Sequence, residues 1–193
     1  MPKIIGITGG IGSGKTTLIE FIKENGFFVY ISDEESKKIL NNKEIINKIQ
    51  FSFPDYVLVV DNLLDKRKLA EIVFNNPEYL KKLNALIHPL VQKDFEAWVK
   101  GKGDQKILFK ETAILFETGA YKQCDYNILI TAPVETRIAR VMQRDGVTKE
   151  QVLERINNQW SDDEKAKLAD VIVENIDLTT AKQEILNIIN KLT

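Results

Sequence analysis

The sequence predicts an α/β fold of three layers, a parallel five-stranded sheet with helices on both faces, on three observations. An apolar run, Lys3-Ile4-Ile5-Gly6-Ile7-Thr8, ends in a glycine-rich stretch and is followed at once by helical spacing at Leu18, Ile19 and Ile22. Short apolar segments then recur down the chain between stretches of helical periodicity, the alternation expected of parallel strands joined by crossovers. The chain has 193 residues, 44% of them hydrophobic and 28% charged, which suits one compact core carrying inserted segments rather than two independent domains.

The glycine-rich stretch reads Gly9-Gly10-Ile11-Gly12-Ser13-Gly14-Lys15-Thr16-Thr17, and Gly9 to Thr16 fits the phosphate-loop pattern G-x-x-x-x-G-K-[ST] without mismatch. Glycines reach backbone angles that a Cβ forbids, so successive N–H groups can converge on one anion. The helix that follows aims its positive end at the same point. Gly10 to Thr17 are therefore the expected nucleotide contacts, with Lys15 reaching the β- and γ-phosphates and the Thr16 hydroxyl ligating Mg²⁺. A ligand-free turn is the competing reading. Four glycines in six residues, and a lysine that opposes the helix dipole, argue against it.

Net charge is −1, with acidic and basic residues scattered, which speaks against a nucleic-acid surface. Cys124 is the lone cysteine, so an intrachain disulfide and a thiolate zinc site are excluded. The first apolar run is short and broken by glycine, and no later one is long enough to span a bilayer; a soluble cytosolic protein is expected. Oligomeric state is not written in the sequence; a monomer or a weak homo-oligomer is the expectation.

Taken in order, Lys3 to Thr8 is a buried parallel strand, Gly14 to Asn25 the helix behind the loop, and Asn25-Gly26 its end. Phe27 to Ile31 is a second strand, closed by Ser32-Asp33. Asp33 at that edge is either a helix cap for Glu34 to Leu40 or a catalytic base on the ligand-binding side of the sheet. Lys43 to Gln50 has helical spacing. Tyr56 to Asp61 looks like a strand ending in an acid, but Pro54 and Asp61-Asn62 favour a short hairpin or loop edge, with Asp61 a turn residue rather than a metal ligand. Asp65 to Phe74 and Pro77 to Lys100 are helical, with a kink or break expected at His88-Pro89. His88 is the only histidine, and a packed or backbone-bonded role is its default.

Lys106 to Thr112 is a third strand, with Glu111 near its end, and Asp125 to Thr131 a fourth. From Pro133 to Leu168 the chain is helical and basic. Arg137, Arg140 and Arg144 fall at i, i+3 and i+7 on one helix face, and Arg155 follows on the next helix. Such a run is either a solvated face or a lid of arginines over a transferring phosphoryl group. Asp170 to Glu174 is a fifth strand, and Thr179 to Leu192 an amphipathic closing helix.

Among phosphate-loop proteins, a GTPase needs an Asn-Lys-x-Asp site and an Asp-x-x-Gly switch, and the chain has neither. A motor or helicase needs more chain. A small-molecule kinase needs a phosphate loop, a base near the second strand, a helical insert and an arginine lid, which occur here in that order. A regulatory nucleotide-binding module is the non-enzyme alternative.

The run Thr8 to Thr17 resembles the phosphate loop of dephospho-coenzyme A kinases. So do Ser32-Asp33, Leu83-Asn84-Ala85-Leu86-Ile87-His88-Pro89-Leu90-Val91, Leu115-Phe116-Glu117, and Pro133-x-Glu135 leading to Arg140-x-x-x-Arg144-Asp145. Arg155-Ile156-x-x-Gln159 and Ala169-Asp170-x-x-x-x-Asn175 extend the likeness, which runs from Ile4 to about Asn175. The resemblance implies a P-loop NTPase fold with a substrate-binding helical insert at about 61–100 and a lid at about 133–168, the core being about 1–60, 101–132 and 169–193. It implies phosphorylation of the ribose 3′-hydroxyl of dephospho-CoA by ATP with Mg²⁺. A kinase of the same fold acting on a nucleoside or a nucleoside monophosphate is the runner-up.

On that resemblance Asp33 aligns with the catalytic base, Lys15 with the phosphate-binding lysine and Arg140 with the lid arginine. Arg144 and Asn175 join the nucleotide site, Asp33, Arg67, His88 and Glu117 the acceptor site, and Thr16 and Glu111 the metal. The chain departs from the family pattern in three places. Ile31 stands where the first of two acids is usual, Glu111-Thr112-Ala113 replaces Asp-x-Pro, and Ile176 follows Asn175 where glycine is usual.

Overall fold

The computed structural model describes residues 1–53 and 64–193. The expected strand at Tyr56 to Asp61, and with it Asp61, lies outside the described residues. The elements run β1 (Lys3–Gly9), α1 (Lys15–Glu24), β2 (Val29–Ile31), α2 (Ser32–Ile39), α3 (Lys43–Ser52), α4 (Lys66–Asn75), α5 (Pro77–Lys100) and β3 (Ile107–Glu111). They continue β4 (Tyr126–Thr131), α6 (Val134–Asp145), α7 (Lys149–Asn157), α8 (Asp162–Ala166), β5 (Val171–Glu174) and α9 (Leu178–Leu192). These elements form two compact units, Met1–Ile31 with Lys102–Thr193, and Ser32–Gly101.

The first unit carries the sheet, five strands in the order β2-β3-β1-β4-β5, each neighbouring pair parallel. β1 is central, and the chain leaves it for β2 and β3 on one side and returns to β4 and β5 on the other. That reversal leaves a crevice beyond the C-terminal end of β1, where α/β sheets take their ligands. Period-two alternation assigns the two faces. Ile5 and Ile7, Ile107 and Phe109, Ile128 and Ile130, and Val173 meet Leu18, Ile19 and Ile22 of α1 and Ala181, Ile185 and Ile189 of α9. On the opposite face Leu129 packs with Leu115, Phe116, Ala166 and Leu168. Burying one such side chain fully is worth about 1.5–3 kcal/mol, so these two faces hold the layers together.

β2 is shorter than the sequence suggests. Phe27 and Phe28 lie outside it; Phe27 packs edge-on against Phe109 at 5.8 Å, and the Phe28 carbonyl still accepts the Phe109 N–H. The basic stretch after β4 is three helices. Gly146, at φ 67, ends α6 in the left-handed region, and capping boxes at Thr148-Gln151 and Ser161-Glu164 start α7 and α8.

The second unit has its own apolar centre: Ile45, Ile46 and Ile49 of α3, Leu69 of α4 and Ile87 of α5, with Leu83, Leu86 and Leu90 packed on it. Side-chain caps set its helix starts, Asn42 for α3, Asp65 for α4 and Asn76 for α5, the last with Pro77 in the first turn. Of the kink or break expected at His88-Pro89, the break does not occur: α5 runs through Pro89 from Pro77 to Lys100. The apolar stripe on both sides of the proline, Leu83 and Ile87 before it and Leu90 and Val91 after it, packs into the same cluster and offsets the lost backbone bond.

Candidate active site

The site starts where β1 ends. Gly12 and Gly14 take φ of 78 and 83, and no other residue type reaches both angles cheaply. Ser13 N–H closes the turn on the Gly10 carbonyl at 3.1 Å. Lys15 is the first residue of α1, whose N-cap, Gly14, offers no side-chain acceptor, and whose first turn holds no acid. This helix end therefore keeps the positive potential that an anion would meet. A cleft of about 660 Å³ opens there, lined by the loop from Gly9 to Thr17 and by Arg140, Arg144, Gln159, Asn175 and Leu178.

Register brings Glu111 to the same place. Ile7 of β1 sits opposite Glu111, the last residue of β3, and the Glu111 carboxylate pairs with the Lys15 ammonium. Both side chains are largely buried, so the pair is weakly screened. Thr16 is exposed beside Lys15. Among the described residues no group of three or more His, Cys, Asp or Glu could hold an ion. A Mg²⁺ here fits only as a shared ion, with hard oxygens from Thr16 and Glu111 and the remaining positions left to phosphate and water.

The loop is braced from behind. Asn175, 2% exposed, donates from Nδ2 to the Ser13 carbonyl at 2.8 Å, and Arg140 Nη1 reaches the same oxygen at 3.5 Å. Arg140 Nη2 donates to the Ile176 carbonyl at 3.4 Å, so this arginine spans the loop and the turn after β5. Arg137 was expected on an arginine face with Arg140 and Arg144, but it is 4% exposed and turned inward. Its Nε donates to the Ile11 carbonyl at 2.8 Å and its Nη1 pairs with Asp162 at 2.9 Å. The Ile11 N–H donates to Gln159 Oε1 at 2.9 Å. Spacing puts Arg137 on the lid face and the resemblance includes Gln159, but neither marks them as a brace of the loop; the signal for Arg137 is its neighbourhood with Ile138 and Val141, which mark the buried stripe of α6.

Arg144 lines the cleft and binds Asp145 with two nitrogens, at 2.7 and 3.0 Å, while Arg155 Nη1 joins the same carboxylate at 2.8 Å. The Arg144 hydrogen bond, then that of Arg155, holds the Asp145 carboxyl down to about 2. Glu117 lies away from the loop, in an ion pair at 3.2 Å with Lys165, whose side chain is fully buried. The two groups face one another without the alignment of a hydrogen bond.

Asp33, Arg67 and His88 belong to the helical unit. α2 begins at Ser32, directly after β2 in the chain, so Asp33 stands exposed in the first helical turn with Glu34 and Glu35. Arg67 is exposed in the first turn of α4, 3.8 Å from Glu71. His88 borders a shallow groove along α5 with Leu80, Lys81 and Asn84.

A family model for dephospho-CoA kinase matches residues 3–180. A dephospho-CoA kinase of Leptospira interrogans is 40% identical over 173 residues, covering 89% of this chain and 84% of that one. The enzyme of that name from Fusobacterium nucleatum is 38% identical over 172 residues, covering 89% of each. Among solved structures, TT1252 of Thermus thermophilus superposes with a TM-score of 0.90 at 36% identity, covering 100% of this chain and 98% of that one. Shikimate kinase of Acinetobacter baumannii, at 15% identity and a TM-score of 0.57 (99% and 94% covered), shares the fold. With the phosphate loop at the head of α1 and this breadth of likeness, the chain belongs to the dephospho-CoA kinase family.

Proposed function

We propose that the chain transfers the γ-phosphoryl group of ATP to the ribose 3′-hydroxyl of dephospho-CoA, giving CoA and ADP. The observation that carries this reading is the phosphate loop, open at the N-terminus of α1, in a chain of this family. The bond from Pγ to the β-phosphate oxygen breaks as the bond from the 3′-oxygen forms, and the hydroxyl proton leaves last.

Loop amides and Lys15 hold the β- and γ-phosphates, Arg140 and Arg144 close over the developing charge, and Asn175 lies at the nucleotide's base side. Asp33 orients the 3′-hydroxyl and takes its proton. An ordinary carboxylate suffices, because positioning outweighs basicity in a loose transition state. Thr16 and Glu111 would hold Mg²⁺, which when bound would supply charge neutralisation at the phosphate oxygens. Arg67 and His88 are assigned to the acceptor. Glu117, paired with Lys165, is assigned to the acceptor with them. No helix among the described residues is long and apolar enough to cross a membrane. The reading is of a cytosolic enzyme acting on a small molecule, as a monomer or weak homo-oligomer.

Coupled ADP release tests the reading. Dephospho-CoA should support turnover at least a hundredfold faster than adenosine, AMP or other nucleosides; equal or better rates with a nucleoside or a monophosphate would replace the proposed acceptor.

A further inference from the structure

We propose that Arg137 and Gln159 are positioning residues that set the shape of the phosphate loop by gripping the two sides of Ile11, with Asp162 locking Arg137 in place. The inference rests on the phosphate-loop reading but not on the identity of the acceptor.

Ile11 is the mid-loop residue whose two polar backbone groups are both taken by side chains from outside the loop. Its N–H is taken by Gln159 and its carbonyl by Arg137. An N–H already given to Gln159 is not offered to a phosphate, so the cradle is made by the amides that follow it, and fixing Ile11 fixes where those amides aim. The contact is tight on both sides. A Cβ on Gly10 would overlap the Arg137 guanidinium, and one on Gly12 would meet the Arg137 carbonyl oxygen at 2.5 Å. Gly10 and Gly12 therefore admit α6 as well as phosphate. Arg137 needs its fork geometry: Nε serves Ile11 while Nη1 serves Asp162 at 2.9 Å. A lysine has one nitrogen and cannot hold both positions.

The grip also ties distant pieces of chain to one residue. Asp162 opens α8, and Lys165 on the same helix is buried in the ion pair with Glu117 beyond β3. Gln159 lies three residues before the start of that helix. The phosphate loop is thus referenced to the core through α6 and α8, while Arg144, near the far end of α6, and Arg155 of α7 pair with Asp145.

The test measures ATP binding calorimetrically without acceptor, steady-state kinetics with dephospho-CoA, and thermal midpoints, for Arg137→Lys, Gln159→Leu and the wild type. Arg137→Lys retains a buried cation beside Asp162, and Gln159 is only half-buried, so both variants are expected to fold. The expected result is a rise of about fivefold or more in Kd and KM for ATP in each variant. The KM for dephospho-CoA should stay within about twofold and the midpoint near that of the wild type. Unchanged ATP affinity in both variants, or a lowered midpoint with unchanged ATP kinetics, would overturn the positioning role and leave Arg137 a structural residue. A wild-type protein that binds ATP but does not turn over dephospho-CoA would refute the acceptor assignment alone, because the binding arm still decides the inference.

Discussion

Gly14→Ala is the substitution whose cost can be worked from the structure. Gly14 holds φ 83, where a Cβ-bearing residue pays about 1–2 kcal/mol. A Cβ at that position also overlaps the Asn175 amide, which is 2% exposed and bonded to the Ser13 carbonyl at 2.8 Å. Displacing that amide loses a buried hydrogen bond, about 1 kcal/mol more. The sum, about 2–3 kcal/mol, corresponds to a fall of about 4–12 °C in thermal midpoint for a chain of this size. Gly26→Ala is the matched control: its φ is 87, but nothing lies within 4 Å of its Cβ. There the backbone penalty stands alone, and the midpoint should fall by about 2–8 °C. The discriminating readout is ATP affinity, expected to weaken at least about tenfold for Gly14→Ala and to stay unchanged for Gly26→Ala, since only the former disturbs the cradle. Scanning calorimetry and titration calorimetry give both numbers. Equal ATP affinities in the two variants would refute the argument that Asn175 and Gly14 shape the loop together.

Other outcomes follow from the same geometry. Asp33→Asn should lower kcat with dephospho-CoA by about a hundredfold or more while ATP affinity holds, and near-normal turnover would leave Asp33 only the helix-start role. Arg140→Ala should lower kcat more than it raises KM, and a change in KM alone would mean ground-state binding. Arg144 and Arg155 hold the Asp145 carboxyl down from 3.8 to about 2, so its stabilising contribution is full above the unfolded value and is lost as pH falls through about 2. Asp145→Asn should therefore flatten the acid limb of a stability-versus-pH curve between those values, and an unchanged limb would contradict the pairing. Burial pushes the Cys124 thiol up to about 11, so alkylation at pH 8 should be slow in the native protein and fast once it is unfolded. Rapid native labelling would show the thiol accessible.

What the sequence disclosed and what it concealed separate along a physical line. The phosphate loop was legible because its requirement, glycines at fixed offsets before a Lys-Thr pair, is local. The five strands were legible because each is a short apolar run, and β2 was overextended because Phe27 is apolar for packing on Phe109 and Phe28, though apolar, is exposed. Pro89 does not break α5, since tertiary burial of the helix outweighs one missing N–H. The bracing of the loop was not legible. Arg137 meets Ile11 across 126 positions and Asn175 meets Ser13 across 162, and no periodicity encodes such pairs. The buried Lys165 partner of Glu117 was hidden for the same reason, as a lysine amid acids reads as surface.

The central claim is that the loop at the head of α1 delivers a phosphoryl group to one sugar oxygen of dephospho-CoA. Its most direct measurement is the product formed from ATP and dephospho-CoA, analysed by phosphorus NMR and mass spectrometry alongside ADP. The account predicts one CoA, phosphorylated at the ribose 3′ position, for each ADP released. ADP released without CoA, or a phosphoryl group on another oxygen, would contradict it.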